Sequence, residues 1–179
     1  MTRYIALLRG VNVGGNNKIA MPELKAAFER RGFEGVLTYI NSGNIIFESG
    51  LDECAAKAAC EELIEQGFGL KIVVGVIAAA DLAEALEHAP DWWGSEAACR
   101  HNAIFVIPPM TADEVCAQVG AVKPEYEKVA SFGQVIFWSA PLATFSHTRW
   151  SKITQSKAAY NAITIRNANT AKKLAALSK

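Results

Sequence analysis

The sequence predicts an α+β chain made of two tandem units, each with the element order βαββαβ and an antiparallel sheet. Three observations predict it. Short apolar or β-branched runs alternate with stretches of helical period along all 179 residues. The order strand, helix, strand, strand, helix, strand occurs twice. Right-handed crossovers then close each copy as a four-stranded antiparallel sheet with two helices on one face, the ferredoxin-like arrangement. The units are placed at residues 1–78 and 79–179, the second including a connecting helix and a C-terminal helix. Each is small by itself, yet large enough to hold a core when the two pack together.

In the first unit, Arg3 to Arg9 is a strand with Ile5, Leu7 and Leu8 at its centre. A Gly- and Asn-rich loop follows, Gly10 to Lys18. Pro22-Glu23 opens a helix, because proline is tolerated in the first turn and an acid there suits the helix dipole. Met21, Leu24 and Phe28 mark its apolar face, and Gly32 ends it. Val36 to Ile40 and Ile45 to Phe47 are strands, with Asn41-Ser42-Gly43-Asn44 as the hairpin turn. Asp52 caps a helix to about Gln66, with Ala55, Ala59 and Leu63 on one face. The β-branched run Lys71 to Ile77 is the fourth strand.

In the second unit, Ala78 to His88 is the connecting helix and Asp91-Trp92-Trp93-Gly94-Ser95 a loop. Ala103 to Ile107 is a strand, stopped by Pro108-Pro109. Thr111 caps a helix to about Val119, with Ala112, Val115 and Val119 inward. Glu127 to Ser131 and Gln134 to Ser139 pair around Phe132-Gly133. Arg149 to Tyr160 reads as helical, Ala162 to Arg166 as a strand and Asn167 to Leu177 as the last helix.

Hydrophobic residues make up 51% and charged residues 20% of the chain, which excludes a disordered composition. The apolar run Ile72 to Ala80 is far too short to cross a membrane. Tyr4 to Leu8 is too short for a signal-peptide core, so a cytoplasmic location is expected. The zero net charge hides an asymmetry: residues 1–78 carry −1, residues 79–144 carry −6 and residues 145–179 carry +7 with no acid. Either the basic stretch meets an anionic partner or it neutralises the acidic middle.

Cys54, Cys60, Cys99 and Cys116 form no C-x-x-C pair, and His88, His101 and His147 have no metal-ligand spacing. Reduced, buried cysteines and no metal or cofactor are therefore expected. Gly10 and Gly15 have the G-x-x-x-x-G spacing of a phosphate loop, but Asn16 and Asn17 precede Lys18 and Ile19 follows it. The Lys-Ser/Thr pair that a nucleotide triphosphate loop needs is absent. What remains is a loop whose backbone N–H groups could hold an anion, with Arg9, Asn12, Asn16 and Lys18 around it, or else a long turn. Asn41, Ser42 and Asn44 either present polar groups to a ligand or only close a hairpin. Arg166, Asn167 and Thr170, between the last strand and helix, either form an anion site or cap the helix. Trp92-Trp93 is an exposed pair or a plug. An RNA-recognition reading lacks the aromatic platform and signature of that motif.

The stretch Ala6–Ile19, followed by Met21 and Leu24 and then by Thr38–Asn44, resembles the bacterial domain-of-unknown-function 1697 family. Thr164–Asn167, Thr170 and Lys173-Leu174 are similar to its closing motif. The resemblance implies a two-unit ferredoxin-like fold in a cytosolic bacterial protein, and it implies no activity. One departure stands out: the family has an aromatic, typically Trp, where this chain has Ala168. If that aromatic touches a ligand, function is altered here; if it packs, the core is repacked.

The leading reading is a non-enzymatic module that binds a small anionic ligand, a nucleotide or phosphorylated metabolite, or a nucleic acid strand. Its binding set is Arg9, Asn12, Asn16, Lys18, Asn41, Ser42, Asn44, Arg166, Asn167 and Thr170. The second reading is an enzyme on a small phosphorylated or acyl substrate, and the third a structural or oligomerisation protein. No membrane partner is expected.

Overall fold

The computed structural model describes all 179 residues. It contains two four-stranded antiparallel sheets with helices. The chain divides into two compact units: Met1–Leu82 with Leu174–Lys179, and Ala83–Lys173.

In the first unit β1 (Thr2–Leu8), β2 (Glu34–Tyr39), β3 (Asn44–Ser49) and β4 (Val74–Ala78) form a sheet of order β2-β3-β1-β4. The first and third strands are central, as the element order predicts. Helices α1 (Met21–Arg30) and α2 (Glu53–Phe68) supply the residues that pack on one face. Tyr4, Ala6 and Leu8, two residues apart along β1, meet Leu24 and Phe28 of α1 and Ala56, Cys60 and Ile64 of α2. Phe28, Phe33 and Phe47 form a close aromatic trio, with centroids 4.5–5.5 Å apart. The alternate residues Ile5, Leu7 and Ile46 face the other way and are buried too. Asp52 caps α2 by accepting from the Ala55 N–H, and Gly69 ends it in the left-handed conformation.

The second unit contains α3 (Ala79–Glu87) from Ala83 onward, β5 (Cys99–Val106), α4 (Ala112–Val119), β6 (Lys128–Phe132) and β7 (Val135–Pro141). The short helix α5 (Lys157–Asn161), β8 (Ile163–Asn167) and the start of α6 (Ala168–Leu177) complete it. Its sheet order, β6-β7-β5-β8, repeats that of the first. Thr111 and Glu114 form a reciprocal capping box at α4. Ile104, Ile136, Trp138, Val115, Trp150 and Ile153 lie in the helix-side core.

Several local readings change, among them the starts of β4, at Val74 rather than Lys71, and of β5, at Cys99 rather than Ala103. Strand β3 begins at Asn44, so the turn is Ile40–Gly43, one residue earlier than the sequence suggests. The stretch expected to be one helix over residues 149–160 is a 3-10 segment, Trp150–Gln155, followed by α5, and a further 3-10 segment, Leu142–His147, precedes it. The four cysteines are unpaired, but only Cys60 is buried and Cys54, on the outer side of α2, is exposed. Burial pushes the Cys60 thiol well up, and Cys116 rises through burial and the nearby Asp113 carboxylate. In a titration with Ellman's reagent, Cys54 is expected to react first and Cys60 only after unfolding. Prompt modification of Cys60 in native protein would contradict this packing.

Candidate functional site

The Gly/Asn loop of the first unit is built mainly on its own hydrogen bonds. Gly10, Asn12, Gly14, Gly15 and Asn17 all have positive φ, which Gly and Asn tolerate best. The Asn12 side chain is a strut: its Nδ2 donates to the Ile19 carbonyl (2.8 Å) and to the Asn41 carbonyl (2.8 Å), and its Oδ1 accepts from the Ile19 N–H (2.9 Å). Asn17 Nδ2 donates back to the Gly10 carbonyl. Asn44 is fully buried and its Nδ2 donates to the Tyr39 carbonyl and Ser42 Oγ, which closes the turn. Asn12 thus ties the loop to the turn that holds Asn41, Ser42 and Asn44. Asn16 and Lys18 are exposed on the loop, and Arg9 is half-buried with its N–H on the Val73 carbonyl.

Arg166, Asn167 and Thr170 belong to the second unit. Arg166 is 9% exposed, and its Nη1 donates to Thr164 Oγ1 and the Ile165 carbonyl. Burial pushes its pKa down to about 10. Asn167 Oδ1 accepts from the Thr170 N–H at 2.8 Å, the geometry of an N-cap on α6.

The same unit carries a side-chain cluster that sequence reasoning did not assemble. Residues 99, 101, 103 and 105 of β5 share one face with residues 135, 137, 139 and 141 of β7, opposite the helix-side core. On that face His101 lies opposite Ser139, and Ser139 lies opposite Lys128 of β6. His101 Nδ1 is 2.5 Å from Ser139 Oγ, and its Nε2 is 2.8 Å from the Glu96 carbonyl. The Cys99 thiol donates to Glu96 Oε2 at 3.4 Å, and Lys128 Nζ is 3.7 Å from Glu96 Oε1. Burial and then the Glu96 hydrogen bond push the Cys99 pKa up, so this thiol stays protonated near neutral pH. The only sequence signal was the alternation of Cys99, His101 and Ala103. The β5–β7 register that joins His101 to Ser139 is non-local.

Two openings meet at Glu96, Cys99 and His101. One, of about 180 Å³, is lined by Trp92, Tyr126, Lys128 and Ser139 among others. The other, of about 450 Å³, runs past Gly94, Arg100, Asn167, Ala168 and Asn169. The Arg100 guanidinium sits 4.4 Å over the Phe145 ring. Lys172 Nζ lies 5.3 Å from the Trp93 ring centre, and a Cβ on Gly94 would meet that ammonium at 2.6 Å. Trp93 is the plug of its pair: it is 4% exposed, packs edge-on against Phe137 and donates from Nε1 to the Asn102 carbonyl, while Trp92 lines the smaller opening. Ala168 is buried at the wall of the larger one. No group of three or more His, Cys, Asp or Glu side chains is arranged to hold a metal ion, and no helix is long and apolar enough to cross a membrane.

Among solved structures, the chain is similar to a conserved bacterial protein from Streptococcus pneumoniae, SP0830, at 33% identity, with 99% of each chain covered and a TM-score of 0.86. An unknown protein from Galdieria sulphuraria aligns over 93% of this chain and 96% of its own, but at 9% identity and a TM-score of 0.27 it carries no structural argument. No curated protein matches. The family model described as protein of unknown function (DUF1697) matches residues 1–137, about three quarters of the chain, and the chain belongs to that family.

Proposed function

We propose that the protein is a binding module for a small anionic ligand, a nucleotide or phosphorylated metabolite, held in the larger cleft of the second unit. One observation carries the reading: Arg100 and the capped start of α6 line one cleft of about 450 Å³, and the Lys172 ammonium lies beside Gly94 in its wall. That volume falls within the usual range for small-molecule sites. Phe145 and Trp93 hold the two cations against aromatic faces, which limits the side-chain freedom lost on binding. The α6 N-terminus adds a partial positive charge on the same side. Glu96 is also in the lining, but its carboxylate faces Lys128 and the Cys99 thiol. We also infer that each unit is ferredoxin-like, a reading supported by the sheet order with first and third strands central. The unpaired cysteines support a reducing compartment.

The test is a thermal-shift screen of nucleotides and sugar phosphates at millimolar concentration. A ligand present at 100 times its dissociation constant stabilises by about 2.7 kcal/mol, a readily measured rise in melting temperature. Arg100→Ala is expected to weaken the hit at least tenfold without comparable loss of stability, since Arg100 is exposed. No stabilisation by any compound, or a hit indifferent to Arg100→Ala, would remove the reading. Lys18→Ala reports separately on the Gly/Asn loop of the first unit.

A further inference from the structure

The geometry points to an activity beyond binding: we propose that Ser139 and His101 form a nucleophile–base pair that accepts a short acyl group from an activated ester in the smaller cavity of the second unit. The hydrogen bonds fix the proton positions. The Glu96 carbonyl can only accept, so the imidazole N–H is on Nε2, 2.8 Å away. In the neutral ring Nδ1 then carries a lone pair, and the Ser139 hydroxyl, 2.5 Å away, donates to it. This is the arrangement that activates a serine: nucleophile bonded to base, and base oriented by a third group. A backbone carbonyl takes the orienting place that a carboxylate fills in other enzymes.

The surroundings match that chemistry. Ser139 is 4% exposed, yet it lines a cavity of about 180 Å³ with Trp92 and Tyr126, a volume that limits the acyl group to a short one. Lys128 is directly opposite Ser139 in the sheet and lines the same cavity. Its ammonium can stabilise the oxyanion that forms as the carbonyl is attacked. Cys99 lines the cavity as well, but its thiol donates to the Glu96 carboxylate and is not the nucleophile.

The step balances without a co-reactant beyond water. Ser139 Oγ bonds to the carbonyl carbon as its proton moves to His101 Nδ1. The bond to the leaving alcohol breaks, and that alcohol takes the proton from Nδ1. Water repeats the sequence on the acyl-serine, giving the free acid and restoring Ser139.

The probe is p-nitrophenyl acetate, with p-nitrophenol release followed in time and the acetylated protein mapped by peptide mass spectrometry. A burst of one p-nitrophenol per chain and acetyl on Ser139 are expected. His101→Gln should slow the burst by at least about 100-fold, the lower end of what a positioned base contributes. Mapping on the unmodified chain does not depend on any variant folding, and circular dichroism checks Ser139→Ala and His101→Gln. No burst, acetyl confined to lysines or Cys54, or a burst unchanged in folded Ser139→Ala would each overturn the proposal. The anion reading is judged apart from this, because its probe and its Arg100→Ala variant do not involve Ser139.

Discussion

Gly43→Ala is expected to destabilise the protein by about 2–5 kcal/mol, from two separate causes. Gly43 has φ +75°, and a side chain held in that left-handed region costs about 1–2 kcal/mol. The position is also crowded: a Cβ would stand 2.7 Å from Leu8 Cβ and 3.4 Å from Val11 Cβ. Leu8 is buried in the core of the first unit and its N–H donates to the Gly43 carbonyl at 2.8 Å, so neither side gives way easily. Forcing a methyl group into packed surroundings adds about 1–3 kcal/mol. Gly15→Ala separates the two causes. Gly15 has φ +80° with no neighbour within 4 Å of its Cβ position, so that variant should show the conformational cost alone. Urea unfolding of both variants measures the difference. Equal losses would mean that the turn does not press on Leu8.

The turn also shows what a sequence can and cannot convey. Asn and Gly around residues 41–44 mark a hairpin, and one is there. Local preference alone would put the positive φ on Asn41 or Asn44; the structure puts it on Ile40 (φ 49°) and Gly43. Asn44 is instead a buried strand residue whose Nδ2 reaches back to the Tyr39 carbonyl. That hydrogen bond, which closes the hairpin five residues back, goes with a turn one residue earlier, and a β-branched residue adopts the disfavoured conformation. Caps were more legible, because Asp52, Thr111 and Asn167 act within three residues of themselves. Of the candidate site, the sequence exposed the polar loop, the turn and the α6 start as separate segments, and Asn12 joins the first two through the Asn41 carbonyl. It did not expose His101 with Ser139, whose positions are 38 apart and meet only through strand register.

Glu127→Ala is expected to cost about 3 kcal/mol or more, because one buried carboxylate replaces the helical ladder at the start of the 3-10 segment. Glu127 is 3% exposed. Its Oε1 accepts from the Lys123 N–H (3.2 Å) and the Arg149 N–H (2.8 Å), and its Oε2 from the Trp150 N–H (3.2 Å). The helical period of residues 149–160 is real in the sequence, but these donors point at Glu127, 22 and 23 residues upstream for Arg149 and Trp150. A distant side chain therefore starts the segment, and it continues as 3-10 turns. Truncation strands backbone donors beside fully buried Trp150, and each unsatisfied one costs about 1–3 kcal/mol. Glu127→Gln keeps one carbonyl oxygen but turns an amide toward an N–H donor, so it should lose roughly half as much. Denaturant melts of the two variants give the ordering Ala worse than Gln, worse than the unmodified chain. Hydrogen exchange should locate the loss at the Arg149 and Trp150 amides, which become fast in Glu127→Ala while the β5 amides keep their protection. A near-neutral Glu127→Ala would show that water or the neighbouring Thr148 hydroxyl satisfies those amides, and that the carboxylate does not hold the segment in place.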